Sequence, residues 1–284
     1  MEATRTLGSP IEFSLPYRKA RCENITVGRA KKVQAHKHQF ITHGHPFKCL
    51  HRFFIGLEPA WSGLNAIEFT EGSAVGYVKK LSVVGEIPED RLSETCHPNI
   101  VNLREVFITT GSVFLIYESW GMTLNEILSL STVFQLGEVE VATICQGVLQ
   151  GLQYIHQVLD VSHGSLTLGN IHIMEDGAVK IANVGESMIV RPAAREKAKD
   201  IHAFCRMAST LLRPNLAPET RGTIGLLASD FVNVPPTATV EELLQHPFLN
   251  ISAGPWCLRP VNILCTIVQK FKGTPPRNLP DHTT

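Results

Sequence analysis

The chain has 284 residues, enough for one two-lobed domain of about 250 residues or two small ones. A hydrophobic share of 44% against 18% charged residues excludes a disordered chain, and a formal net charge of zero gives no bias toward nucleic acid or a membrane surface. Seven cysteines without CxxC spacing fit free thiols in a reducing compartment, and no apolar run is long enough to span a bilayer, so the expectation is a soluble cytoplasmic protein, with the nucleus also open.

In chain order, residues 1–49 form a basic, His-rich stretch. Nine Lys and Arg fall in the first fifty positions against three Glu, which reads as a solvated arm. The run HKHQFITHGHPFKCLH gathers His36, His38, His43, His45, Cys49 and His51, all competent zinc ligands, but with no recognised finger spacing. The segment reads as a short ribbon over the small lobe with surface histidines. From Leu50 to Leu81 short apolar runs alternate with Gly and Pro, as in a small antiparallel sheet. Val75, Tyr77 and Lys79 share one strand face there. A hairpin follows, with strands at 102–109 and 112–118 around Thr110-Gly111.

Helical periods take over after residue 137. Val141, Ile144, Val148, Leu152 and Ile155 recur at helical spacing, as do Ile201, Phe204, Ala208 and Leu211 in 198–212. A short helix is predicted over 237–249, with Thr239 as N-cap and Pro247 at its end. In the tail after residue 250, Val261, Leu264, Ile267, Val268 and Phe271 predict an amphipathic helix that packs back on the large lobe. Strands first and helices later give an α+β chain with a β-rich small lobe (about 50–118) and a helical large lobe (about 123–250), followed by a tail at 251–284.

Several short motifs fall in a fixed order. These are YVKKL (77–81), HPNIV (97–101), GVLQGLQYIH (147–156), HGSLTLGNI (163–171), IANVG (181–185), KDIHAFC (199–205) and ELLQHPFL (242–249). Together they resemble the eukaryotic protein kinase family, in its STE group with a PAK-like flavour. The resemblance implies a two-lobed kinase-like fold. It also places the catalytic H-R-D-x-x-x-x-N loop at His163–Asn170 and the metal-binding D-F-G triplet at Asn183–Gly185.

At those positions the two acids are gone. Ser165 stands where the catalytic Asp is expected, and a serine cannot hold a proton as a base at neutral pH. Asn183 stands where an Asp grips Mg²⁺, and a carbonyl dipole is a poor substitute for an anionic oxygen. Asn170 and Asn183 are therefore weak metal candidates, and no metal is expected. By the same resemblance, Lys79 matches the phosphate-gripping strand lysine, with the register using Lys80 left open. Tyr77 lies where a small residue caps adenine, His172 on the apolar floor, and Tyr117 at the gatekeeper position. These four with Asn170 make a vestigial nucleotide site. Around GLEPAWSG only Gly56 matches the glycine loop, and Glu58 would repel phosphate.

Other landmarks read as architectural. Asp200 matches the helix aspartate that anchors the catalytic loop's backbone, and His163 and Gly185 are packed motif residues. Eighteen positions separate Lys79 from His97, with Pro88 between, so the helix that should carry the lysine's partner acid is short or broken. Glu86, Glu89 and Glu94 are the candidates for that acid. Seventeen positions from Asn183 to Asp200 are too few for a full activation segment with its substrate platform. The Ala217-Pro218-Glu219 triplet follows the next helix, out of place for the family, and Thr237 replaces its arginine partner.

The reading is a catalytically inactive pseudokinase, a scaffold or allosteric partner of another protein such as an active kinase. It has no nucleic-acid or membrane partner and no cofactor. The alternative is a divergent serine/threonine kinase that binds Mg·ATP through Lys79, Asn170 and Asn183.

Overall fold

The computed structural model describes residues 39–48, 52–56, 65–70, 76–130, 135–190, 196–212, 223–235 and 238–272. Six strands form the first sheet: β1 (Ile41–His43), β2 (Arg52–Gly56), β3 (Asn65–Thr70), β4 (Gly76–Ser82), β5 (Leu103–Thr109) and β6 (Ser112–Glu118), in the order β1-β5-β6-β4-β3-β2. The β5–β6 hairpin turns at Thr110-Gly111 as predicted. Gly111 has φ +76°, which costs a residue without a Cβ little.

Alternation along β4 divides the sheet into two faces. Val78 pairs across to Ile116 and Phe107 to Phe114, and these four are buried as a cluster of their own. Lys80 shares that face, its ammonium 5.9 Å from the centre of the Phe114 ring. Lys79 therefore points the other way, toward the cleft.

The sheet takes in residues that the sequence reading gave to the N-terminal arm. β1 runs parallel to β5, with Ile41 opposite Val106, and Phe40 O accepts from Val106 N–H at 2.8 Å. An edge strand presents backbone groups that need partners, and three residues with no clear alternation suffice to pair them. His43 lies 3.4 Å from Glu89, and His45 stacks edge-on against Phe114. No metal-binding cluster occurs among the described residues, and His36, His38, Cys49 and His51 lie outside them. Also outside are Val75, Glu58, Ala217-Pro218-Glu219 and Thr237. Between β4 and β5 there is no α-helix, only a 3-10 turn at Glu89–Arg91 directly after Pro88.

The second lobe comprises α1 (Leu124–Leu128), α2 (Glu138–Gln157), α3 (Val184–Ile189), α4 (Glu196–Leu212), α5 (Thr223–Val232), α6 (Val240–Leu244) and α7 (Arg259–Lys272). A small sheet is made by β7 (Met122–Thr123), β8 (Ile171–Ile173) and β9 (Val179–Ile181). The predicted stripes of α2 and α4 are buried in one core, with Phe204 and Leu152 fully inaccessible. Thr239 caps α6 through a reciprocal capping box with Glu242. That helix stops at Leu244, earlier than predicted. Pro247 holds His246 extended (ψ 135°), and the chain continues as a 3-10 turn, Pro247–Ile251.

The tail is not separate from the lobe. Val261 and Cys265 of α7 are buried, as is Leu258 just before it, and Asn262 Nδ2 donates to Ile173 O at 2.9 Å. This rotates the helix away from the predicted stripe, leaving Leu264 and Ile267 exposed beside Ile263. Apolarity alone found part of the buried face, with Val261 buried and Val268 packed on the core, and missed the polar Asn262, whose amide meets the carbonyl of Ile173. Among the described residues, no helix is long and apolar enough to cross a membrane.

Candidate functional site

The cleft between the lobes collects most of the residues singled out in the sequence. Lys79, in register with Leu115 of β6, enters from the N-lobe sheet. From below comes the turn after β9, where Asn183 adopts a left-handed conformation (φ 66°, ψ 24°) that asparagine tolerates better than most side chains. That turn lets α3 begin at once, and Glu186 in its first turn reaches back under β4. The Lys79 ammonium lies 2.6 Å from Glu186 Oε1 and donates to Asn183 Oδ1 at 3.2 Å. Both members of the ion pair are about one-fifth exposed, at 21% and 19%.

Tyr117 completes this arrangement. Its hydroxyl donates to Glu186 Oε2 at 2.5 Å and accepts from Gly185 N–H at 3.0 Å. Burial, and then the carboxylate of Glu186, push its pKa well above that of a free phenol. The same two causes push Tyr77 up to about 12, so both phenols stay protonated. The approach is close at Gly185, where a side chain would force its neighbours to shift. A Cβ there would sit 2.6 Å from the Tyr117 oxygen and 3.0 Å from Leu115 Cδ1.

The two asparagines bind one another. Asn183 Nδ2 donates to Asn170 Oδ1 at 2.8 Å, and Asn170 Nδ2 donates to Ser165 O at 2.6 Å. Ser165 itself is exposed. Beneath the loop, Asp200 of α4 is 1% exposed and accepts from His163 N–H at 2.7 Å and Gly164 N–H at 2.8 Å. His156 Nε2 lies 2.8 Å from the same carboxylate. Burial alone would raise the Asp200 pKa, but hydrogen bonds from His156, Gly164 and His163 outweigh it and hold the carboxyl below its ordinary value. The buried His163 ring contacts Ala182 O through Nε2 at 2.8 Å, and burial lowers its pKa.

Tyr77 and His172 meet the connection between the lobes from two sides. Tyr77 packs edge-on against Trp120, with ring centres 3.9 Å apart. His172 is buried, with Nδ1 2.8 Å from Gly121 O, and burial lowers its pKa. A further ion pair, Lys180 Nζ to Glu118 Oε1 at 2.5 Å, ties β9 to the end of β6.

None of the three proposed partner acids holds Lys79. Glu86 and Glu94 are exposed, and Glu89 faces His43. The lysine's partner is Glu186, which the sequence reading passed over. Its signal was an acid placed directly after the Asn183–Gly185 triplet in a chain whose partner helix is broken. Trp120 was missed as well, and only its position after the last N-lobe strand pointed to it.

Residues 74–212 match the family model of the protein kinase domain. The chain is 30% identical over 154 residues to the serine/threonine-protein kinase TAO3 of Gallus gallus, covering 49% of this chain and 17% of that protein. It is 29% identical over 126 residues to the serine/threonine-protein kinase Tao of Drosophila melanogaster (41% and 12%) and over 131 residues to TAO2 of Homo sapiens (43% and 10%). The matched segment thus spans less than a fifth of each of these relatives. The β-sheet lobe over a helical lobe is that of the protein kinase fold.

Proposed function

We propose that this protein-kinase-like chain is a pseudokinase, a domain that binds another protein, such as an active kinase, and transfers no phosphate. The observation that carries the reading is the state of the cleft's polar groups. Phosphoryl transfer is almost entirely positioning and charge stabilisation, with anionic ligands for the metal and a group that orients the nucleophile. Here Asn183 Oδ1 accepts from Lys79, and Asn170 Oδ1 accepts from Asn183. The lysine that would grip phosphate is neutralised by Glu186. Ser165 offers no carboxylate at the loop position.

The donor set does not fit Mg·ATP. A hard cation would have to take amide oxygens already engaged in hydrogen bonds and compete with a tethered ammonium. The adenine slot offers the Tyr77–Trp120 pair and the His172 imidazole instead of a flat apolar space. One observation favours the second reading, a divergent serine/threonine kinase: Glu186 does put a carboxylate beside Asn183.

A thermal-shift titration of the purified chain with ATP, with and without Mg²⁺, separates the two readings. The pseudokinase reading expects no saturable shift under either condition. A saturable, metal-dependent shift that disappears in Lys79→Ala favours the kinase reading instead.

A further inference from the structure

The cleft contains an ion pair that belongs to both lobes. Lys79 and Tyr117 stand on β4 and β6, whereas Glu186, which both of them hold, stands on α3 of the other lobe. A helix of six residues is far too short to be stable by itself, so α3 depends on what its side chains contact. Val184 and Met188 are buried beneath it, and Ser187 Oγ donates to His163 O at 2.8 Å. Its remaining polar ties are Glu186 with Lys79 and Tyr117, and Gly185 N–H with Tyr117. Past its end, Val190 is 64% exposed.

We propose that Glu186 is a latch between the lobes: it takes the place of the missing helix acid as partner of Lys79, and α3 stays docked only while that pairing lasts. The consequence is competition. Any anionic ligand or partner group that claims the Lys79 ammonium must displace a carboxylate of like charge, and doing so releases α3 from the N-lobe. Conversely, a partner that pulls on α3 uncovers Lys79. Cleft occupancy and the surface around residues 184–190 are thereby coupled through one side chain. The idea deepens the pseudokinase reading, because it assigns a regulatory task to a cleft that does no chemistry.

Hydrogen exchange of the amides of residues 187–190 in the full chain tests the latch. The variants are Glu186→Gln, Lys79→Met and the double variant. Loss of the ion pair should speed exchange there by roughly tenfold in each single variant. The double variant should be no faster than either single one, because both remove the same interaction. Lys180→Met breaks the other pair between the lobes and should leave these amides unchanged. The amides of α2 report whether each variant is folded. If the charge variants also loosen α2, Tyr117→Phe decides, since it removes one hold on Glu186 without removing a charge, and its 187–190 amides should exchange several-fold faster. Unchanged exchange in the single variants, or strictly additive effects in the double variant, overturns the latch. Transfer of phosphate from ATP by the wild type would instead sink the pseudokinase reading, whatever the exchange rates show.

Discussion

Two levels of the same cleft can be set against each other. Below, around Asp200, the polar contacts secure the loop: two of its backbone N–H groups and the His156 ring converge on one buried carboxylate. Above, around Lys79, the polar contacts are made among side chains, with a lysine, a glutamate, a tyrosine and two asparagines engaging one another. The lower level is a scaffold in the strict sense. Removing any member strands a buried group that water cannot reach. The upper level holds groups that a reaction would need free, and here each is engaged. The loop's anchor and the cleft's polar contacts therefore rest on different side chains.

The comparison is sharpest at Asp200. Asp200→Ala should leave the N–H groups of His163 and Gly164 without acceptors in the interior and should cost about 3–5 kcal/mol in denaturant unfolding. In the upper level, Gly185→Ala should cost less, about 1–3 kcal/mol, because the new methyl meets the Tyr117 oxygen at 2.6 Å and β6 must shift to admit it. Pairing it with Tyr117→Phe should recover part of that loss, since the phenolic oxygen is the nearest obstacle. If Gly185→Ala proves the more damaging of the two, the upper level is the true scaffold and the comparison is reversed.

How much of this was legible depended on the physics that wrote each signal. The long helices were readable because burial imposes a 3.6-residue period, and every predicted contact residue of α2 is indeed inaccessible. The hairpin at Thr110-Gly111 was readable from a turn that needs a glycine. The motif positions around His163 and Asn183 were readable through the resemblance to the protein kinase family. What stayed hidden were partnerships made by tertiary contact. Glu186 lies 107 positions from Lys79, and nothing local in VGESMI says that its carboxylate turns toward β4. The same holds for β1, too short to show a period, and for Asn262 of α7, whose amide meets a carbonyl on β8. Acidity set the limit too: the sequence said which acids were missing, but not which acid had moved in.

The smallest expected effect concerns pH, and it separates the two levels by their ionisation. His172 has its pKa lowered, first by burial, with the Gly121 carbonyl and Glu126 partly opposing, and His163 is lowered chiefly by burial as well. A histidine depressed in the folded state binds fewer protons than the unfolded chain just below the ordinary value of about 6.5. Stability then falls as pH drops from about 7 toward 5. Asp200 acts in the same direction but lower, since its depressed carboxyl contributes fully above about 4 and loses that contribution only as pH falls through its folded value. His172→Leu removes one of the two ring contributions. It also removes the hydrogen bond to Gly121 O, which lowers the melting temperature at every pH, so the quantity to read is the slope. Melting temperatures from pH 7 to 5 should decline less steeply in His172→Leu than in the wild type, with the Asp200-dependent fall below about pH 4 preserved when the series is extended there. Parallel curves across the whole range would mean that the imidazole at the lobe connection takes up its proton as readily folded as unfolded, and that the upper level is open to water.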